Sequence, residues 1–160
     1  PSVPTSAERF EWRMLNRMLG YYADGLELSA MPAYQIEIVR KALPFYKRIR
    51  HCTHGDRYVL AGPGLQYAPM MDEDDCWECY QHVARDGGMA VLYMYRCLSL
   101  EPTRTWVLRG LEPDAVYHAE TWSGLPERDY TGAELMSGGY TCTLASTRNA
   151  DILVLTRKLS

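Results

Sequence analysis

The sequence lacks any apolar run approaching the roughly 18 residues that a helical membrane span requires, so no helical crossing and no membrane partner is expected. Its first residues, Pro1-Ser2-Val3-Pro4, have neither the basic opening nor the hydrophobic centre of a signal peptide. A cytoplasmic rather than a secreted protein is the expectation. The missing initiator Met is accounted for by excision before Pro as readily as by truncation. Basic charge is also short: 17 Lys and Arg stand against 20 Asp and Glu, a net charge of −3. That removes the electrostatic case for a nucleic-acid partner. Gly-x-Ser-x-Gly is absent, as is a phosphate-binding glycine loop. Phenylalanine is scarce, with 2 Phe beside 12 Tyr and 4 Trp. An aromatic inventory with polar tips suits sheet faces and half-wet interfaces, sugar-binding ones included. The five cysteines, Cys52, Cys76, Cys79, Cys97 and Cys142, are odd in number and irregularly spaced. A chain of 160 residues buries roughly two thirds of its unfolded surface and needs no covalent staple. Reduced, mostly buried thiols follow.

What is present is an ordinary globular composition, 47% hydrophobic and 23% charged, with a change of period along the chain. Thr5-Ser6-Ala7-Glu8 fits a capping box. After it Phe10, Met14, Leu15, Met18, Leu19 and Tyr22 fall on one helical face, closed by Asp24-Gly25. A second helix is predicted from Pro32 to Arg50, with Ile36, Val39, Leu43, Tyr46 and Ile49 at helical spacing and a kink at Pro44. From Gly55 the pattern becomes strand-like, with strands predicted near 57–60, 76–84, 89–97, 104–109, 115–122, 140–144 and 151–157. Asp86-Gly87-Gly88 marks a hairpin, and Arg109 to Asp114 a turn in which Gly110 supplies freedom and Leu111 a plug. Met89 to Tyr95 is apolar at both parities and should be a central strand covered on both faces. The fold class is therefore mainly β, an antiparallel β-sandwich preceded by two α-helices. The wide apolar faces of those helices need something to cover: one sheet of the sandwich, or a partner outside the chain.

No residue set announces catalysis. Cys76-Trp77-Glu78-Cys79, with His51, His54 and His82 not far along the chain, resembles half of a zinc site. Strand residues three apart point to opposite faces, however, and a second C-x-x-C is missing. Neither a metal nor a cofactor is expected. Asp72-Glu73-Asp74-Asp75 lacks the alternating ligands and glycine of a calcium loop and reads as a solvated acidic run. His118 reads as a packed or half-exposed strand residue.

Several segments together resemble a known family. Phe45-Tyr46-Lys47-Arg48-Ile49-Arg50 followed by Gly55-Asp56-Arg57-Tyr58-Val59-Leu60 is similar to the end of the catalytic barrel in family 36 glycoside hydrolases, the α-galactosidase group. The similarity continues through Tyr80-Gln81-His82-Val83, Val91 to Arg96, Leu108 to Tyr117 and Gly132-Ala133-Glu134-Leu135-Met136. The resemblance implies that residues 1–54 are the last helices of a (β/α)8 barrel and residues 55–160 a C-terminal antiparallel β-sandwich domain. It implies a parent retaining glycosidase that hydrolyses α-galactosides, with an aspartate nucleophile in a Lys-x-Asp motif and a second aspartate as acid/base. Neither motif occurs here, so this chain is expected to be inactive alone, with no catalytic residue and no assignable substrate-binding residue. Pro44 and the cysteines flanking Trp77 depart from the family pattern and leave sugar specificity open. On this reading the helices' apolar faces would cover barrel strands outside the chain, and the partners are the parent's barrel and a second subunit in a homo-oligomer. The alternative is a free-standing carbohydrate-binding β-sandwich that offers Trp77, Trp106 and Trp122 to sugar rings.

Overall fold

The computed structural model describes residues 6–20, 28–62 and 76–159. It contains helices α1 (Ala7–Arg17), α2 (Ala33–Ile49) and α3 (Gly132–Ser137). The strands are β1 (Asp56–Ala61), β2 (Trp77–Val83), β3 (Met89–Arg96), β4 (Thr103–Trp106), β5 (Val116–Thr121), β6 (Arg128–Thr131), β7 (Tyr140–Thr143) and β8 (Asn149–Arg157). Six of them form one antiparallel sheet in the order β1-β2-β3-β8-β5-β6, while β4 and β7 pair separately. The fold is the expected antiparallel sandwich, with a helical layer added on the outer side of the large sheet.

The doubly apolar segment 89–95 is indeed central. β3 pairs with β2 on one side and β8 on the other, and every β3 residue after Met89 is buried. β2 is buried along its whole length as well. Alternation then sorts the side chains. Trp77, Cys79, Leu92, Met94, Leu153 and Leu155 face the small β4–β7 sheet and α3. Tyr80, Val91, Tyr93, Tyr95, Ile152 and Val154 face α1 and α2.

This second set answers the question of what the helices cover. Phe10, Met14, Leu15 and Met18 of the first helix, with Val39, Ala42 and Ile49 of the second, are buried against the six-stranded sheet. The expectation that these apolar faces await barrel strands is thereby corrected: the sheet itself takes them. α2 runs unbroken through Pro44, which is exposed. α1 is capped by Ser6, whose Oγ accepts from the Arg9 amide at 3.2 Å, one residue later than the predicted cap at Thr5. Thr5, the Asp24-Gly25 stop and the acidic run 72–75 lie outside the described residues.

One strand escaped the pattern. β6 has a single aromatic among polar residues and lies at the sheet edge, so nothing in its composition demands a covered face. Thr131 at its end caps α3, accepting from the Glu134 amide while Glu134 accepts from the Thr131 amide. The turn at Gly110 behaves as expected. Its φ is +65°, a Cβ there would lie 2.5 Å from the Tyr58 hydroxyl, and Leu111 is buried in the core between the sheets.

Two buried polar side chains fasten the layers. Gln81 accepts from the Arg109 amide at 2.9 Å and donates to the Arg109 carbonyl at 2.7 Å, as a neighbouring strand would. Arg96 donates to the carbonyls of Ser99 (2.9 Å), Leu144 (2.5 Å), Ala145 (3.0 Å) and Leu100 (3.4 Å), joining the loops at one end of both sheets. Replacing it leaves those carbonyls without their charged donor. Arg96→Met should cost roughly 2–4 kcal/mol in urea unfolding, and a loss below about 0.5 kcal/mol would show that water replaces the guanidinium without penalty.

Candidate functional site

A concave polar region lies where α1, α2 and the start of β8 meet. A cleft of about 340 Å³ is lined there by Glu8, Glu11, Lys41, Trp122, Arg148 and Asn149, among others. Glu11 and Lys41 are already committed to Trp122. Trp122 Nε1 donates to Glu11 Oε1 at 2.8 Å, and Lys41 Nζ lies 3.8 Å above the Trp122 ring while donating to the Trp122 carbonyl at 3.1 Å. Phe45 meets the same indole edge-on, with centroids 5.1 Å apart. These contacts tie α1 and α2 to the end of β5, and they leave Trp122 only 5% exposed. Trp77 and Trp106 are similarly covered and lean on each other across the inter-sheet core. None of the three indoles presents the flat open face that a sugar ring would stack on.

Candidate nucleophiles fare no better. Cys52 Sγ lies 3.7 Å from His51 Nε2, but burial, aided by the charge of Asp86, pushes the thiol up to about 11. Burial likewise raises Cys142 to about 12 and Cys79 well above its usual value. These are packed thiols rather than activated ones, as expected, and none of the five cysteines is in a disulfide. His118 is held between Asp129 (2.9 Å at Nδ1) and Glu127 (3.0 Å at Nε2). Those hydrogen bonds raise its pKa, with the Asp129 bond acting most strongly, and Lys158 also donates to Asp129. The cluster staples the edge strand β6 to β5 and β8.

The C-x-x-C motif separates as strand geometry requires. Cys79 enters the inter-sheet core, while Cys76 faces the helix side. There its Sγ, the Cys97 Sγ and the Glu78 carboxylate lie within 4.8 Å of one another, a grouping that could hold a metal ion. Sequence spacing did not reveal it, because Cys97 reaches the site through the β2–β3 register and not through proximity along the chain.

Comparison with known proteins is consistent with this geometry. Residues 77–155 match the model of the glycosyl hydrolase family 36 C-terminal domain. Alpha-galactosidase C of Emericella nidulans is 30% identical over 137 residues, which is 84% of this chain and 16% of that enzyme. The fold is similar to the α-galactosidase AgaA of Geobacillus stearothermophilus, with a TM-score of 0.72 and 22% identity over 91% of this chain and 19% of the other. It is equally similar to the galactosidase domain of the α-galactosidase–sucrose kinase AgaSK, with a TM-score of 0.71 and 23% identity over 91% of this chain and 19% of that one. The chain thus spans about one sixth of the length of the curated relative.

The helix-facing layer also holds a buried polar pair. His82 is 2% exposed, its ring 5.2 Å from that of Tyr93. Neither imidazole nitrogen, nor the Tyr93 hydroxyl, has a hydrogen-bond partner among the described residues. Burial lowers the His82 pKa to about 4, with the nearby Arg57 guanidinium adding to the effect. In the unfolded chain the imidazole titrates near its ordinary value of 6.5. Above that value both states are neutral and the full stability is present; as pH falls towards 4 the unfolded chain takes up a proton that the folded one refuses. His82→Phe keeps the packing and removes this proton linkage. Urea midpoints measured between about pH 7 and about pH 4.5 should fall less steeply in the variant than in the parent, and parallel slopes would sink the assignment.

Proposed function

Because residues 77–155 match the C-terminal domain model of family 36 glycoside hydrolases, we propose that this chain is the C-terminal accessory part of an α-galactosidase-type enzyme whose catalytic aspartates lie outside these 160 residues. The observation that carries the reading is that match together with the alignment to alpha-galactosidase C, which covers 84% of this chain but 16% of that enzyme and leaves the rest of such an enzyme to supply the reaction. A glycosidase needs two carboxyls facing each other across the substrate at about 5–10 Å. The carboxylates that this fold fixes in place are occupied otherwise. Glu11 holds Trp122, Glu78 accepts from the Tyr80 hydroxyl, Asp151 accepts from Ser123, and Asp129 bonds His118.

On this proposal residues 1–54 end the barrel and residues 55–160 form the appended domain. α2 is the joint: its inner face is committed to the sheet, while Leu43 and Pro44 are exposed beside Arg40 and Lys47 on the outside. That outer surface is where the barrel would rest. The substrate of the whole enzyme would be an α-galactoside. A cytoplasmic location is part of the proposal. The carbohydrate-binding alternative is disfavoured by the burial of Trp77, Trp106 and Trp122.

Purified chain incubated with an aryl α-galactoside should show no turnover, and saturable hydrolysis by the homogeneous protein would overturn the placement of the chemistry elsewhere. Titration with galactosides followed by Trp fluorescence should give no saturable change. A saturating signal would restore the binding-module reading.

A further inference from the structure

The helix-facing end of β2 and β3 carries a set of ligand atoms that neither bracing nor sugar chemistry accounts for. The pairing of Trp77 with Arg96 sets the register, and one step further the Cys97 amide donates to the Cys76 carbonyl at 3.0 Å. Opposed residues of an antiparallel pair project to the same face, and so does the residue two positions along. Cys76, Cys97 and Glu78 therefore converge, and their sulfur and carboxylate atoms lie within 4.8 Å of one another.

We propose that Cys76, Cys97 and Glu78 form a binding site for a thiophilic divalent cation of the zinc type. Two sulfurs and one carboxylate oxygen suit zinc or cadmium, and they are a poor set for magnesium or calcium, which take oxygen alone. Tetrahedral zinc with bonds of about 2.0–2.3 Å sets its donors roughly 3.5–3.8 Å apart, a closure within the reach of side-chain rotation. The surroundings hold the ligands in place. Glu78 is fully buried, the Tyr80 hydroxyl donates to its Oε2 at 2.7 Å, and Cys97 Sγ lies 3.9 Å from its Oε1. Such outer contacts orient a ligating carboxylate. Gly62, at φ +121°, roofs the site: a Cβ there would lie 2.9 Å from the Tyr80 oxygen and 3.4 Å from Glu78 Cγ. Cys97 is buried, whereas Cys76 is half-exposed. Binding converts both thiols to thiolates and releases their two protons to solvent. The two thiolates and the carboxylate then carry three negative charges against the two positive charges of the ion.

The test uses the full chain, reduced with a phosphine, freed of metal and titrated with Cd²⁺ alone. About one equivalent should bind, with a thiolate-to-cadmium charge-transfer band in the ultraviolet and about two protons released per ion. Cys76→Ser and Cys97→Ser should each weaken binding at least about 10-fold and diminish the band. Glu78→Gln should weaken binding while retaining the band. Cys79→Ser, on the opposite face of the same strand, should leave both unchanged. Cys76 is half-exposed, so its variant is expected to fold even if the buried ones do not, and circular dichroism checks each. Absence of a stoichiometric band in the reduced parent overturns the site, as does a band indifferent to Cys76→Ser or one lost with Cys79→Ser. Formation of a Cys76–Cys97 disulfide on air oxidation by a reduced protein that takes up no cadmium overturns it as well.

Discussion

β2, β3 and β8 are buried on both faces, and each must therefore be covered twice. On one side the cover is the two-stranded β4–β7 sheet with α3, on the other the pair α1 and α2. Burying a side chain of Leu or Phe size contributes roughly 1.5–3 kcal/mol. The set that α1 and α2 shield, including Tyr93, Tyr95, Ile152 and Val154, is thus too large for the helices to be a detachable annex. The inner faces of the helices belong energetically to the sheet, whatever meets their outer faces.

The two covered faces are lined differently, although each buries tyrosine and the helix-facing one also holds Phe10 and Phe45. Between the sheets, where side chains meet side chains, Leu92, Met94, Leu153 and Leu155 dominate. Beneath the helices the layer holds Tyr80, His82, Tyr93, Tyr95, Glu78 and Cys97. A tyrosine fills the same volume as a phenylalanine but carries a hydroxyl to the boundary where helix backbone is found; Tyr95 donates to the Leu15 carbonyl at 3.2 Å. The cost of this arrangement appears where a polar tip meets no partner, as at His82 and Tyr93. Burial then suppresses ionisation across the layer, raising the tyrosines and lowering the histidine.

Much of this was legible in the sequence. Apolarity at both parities placed β3 at the centre, the period change at Gly55 divided helices from strands, and Asp86-Gly87-Gly88 marked the hairpin, where Gly87 has φ +66° and the Gly88 amide donates to Asp86. What escaped was set by pairing rather than by pattern. β6 is polar and short, and it exists because Val116 to Ala119 offers it an edge. Arg96 reads as a charged strand end, yet it is a buried clamp, since the loops at Ser99 and Leu144 are brought to it only by the fold. Strand alternation already set Cys76 apart from Cys79, but that Cys76 faces Cys97 was not legible, because register, not spacing, decides which thiols meet.

The same logic bears on why no reaction centre is evident among the described residues. Catalytic groups need lone pairs or protons that are free to change partner as charge develops. Here the buried polar groups are largely spent on fixed ties: Gln81 on the Arg109 backbone, Arg96 on four carbonyls, and Asp151 on Ser123 and on its neighbour's amide. Burial raises the Asp151 pKa while those donors oppose the rise, the balance of a carboxylate kept for structure. α2 carries the sheet on one side and an exposed surface on the other, so any body resting on that surface is positioned by the sheet through a single helix. On the proposed reading, the chain would therefore affect a distant reaction through placement alone, without lending it a side chain.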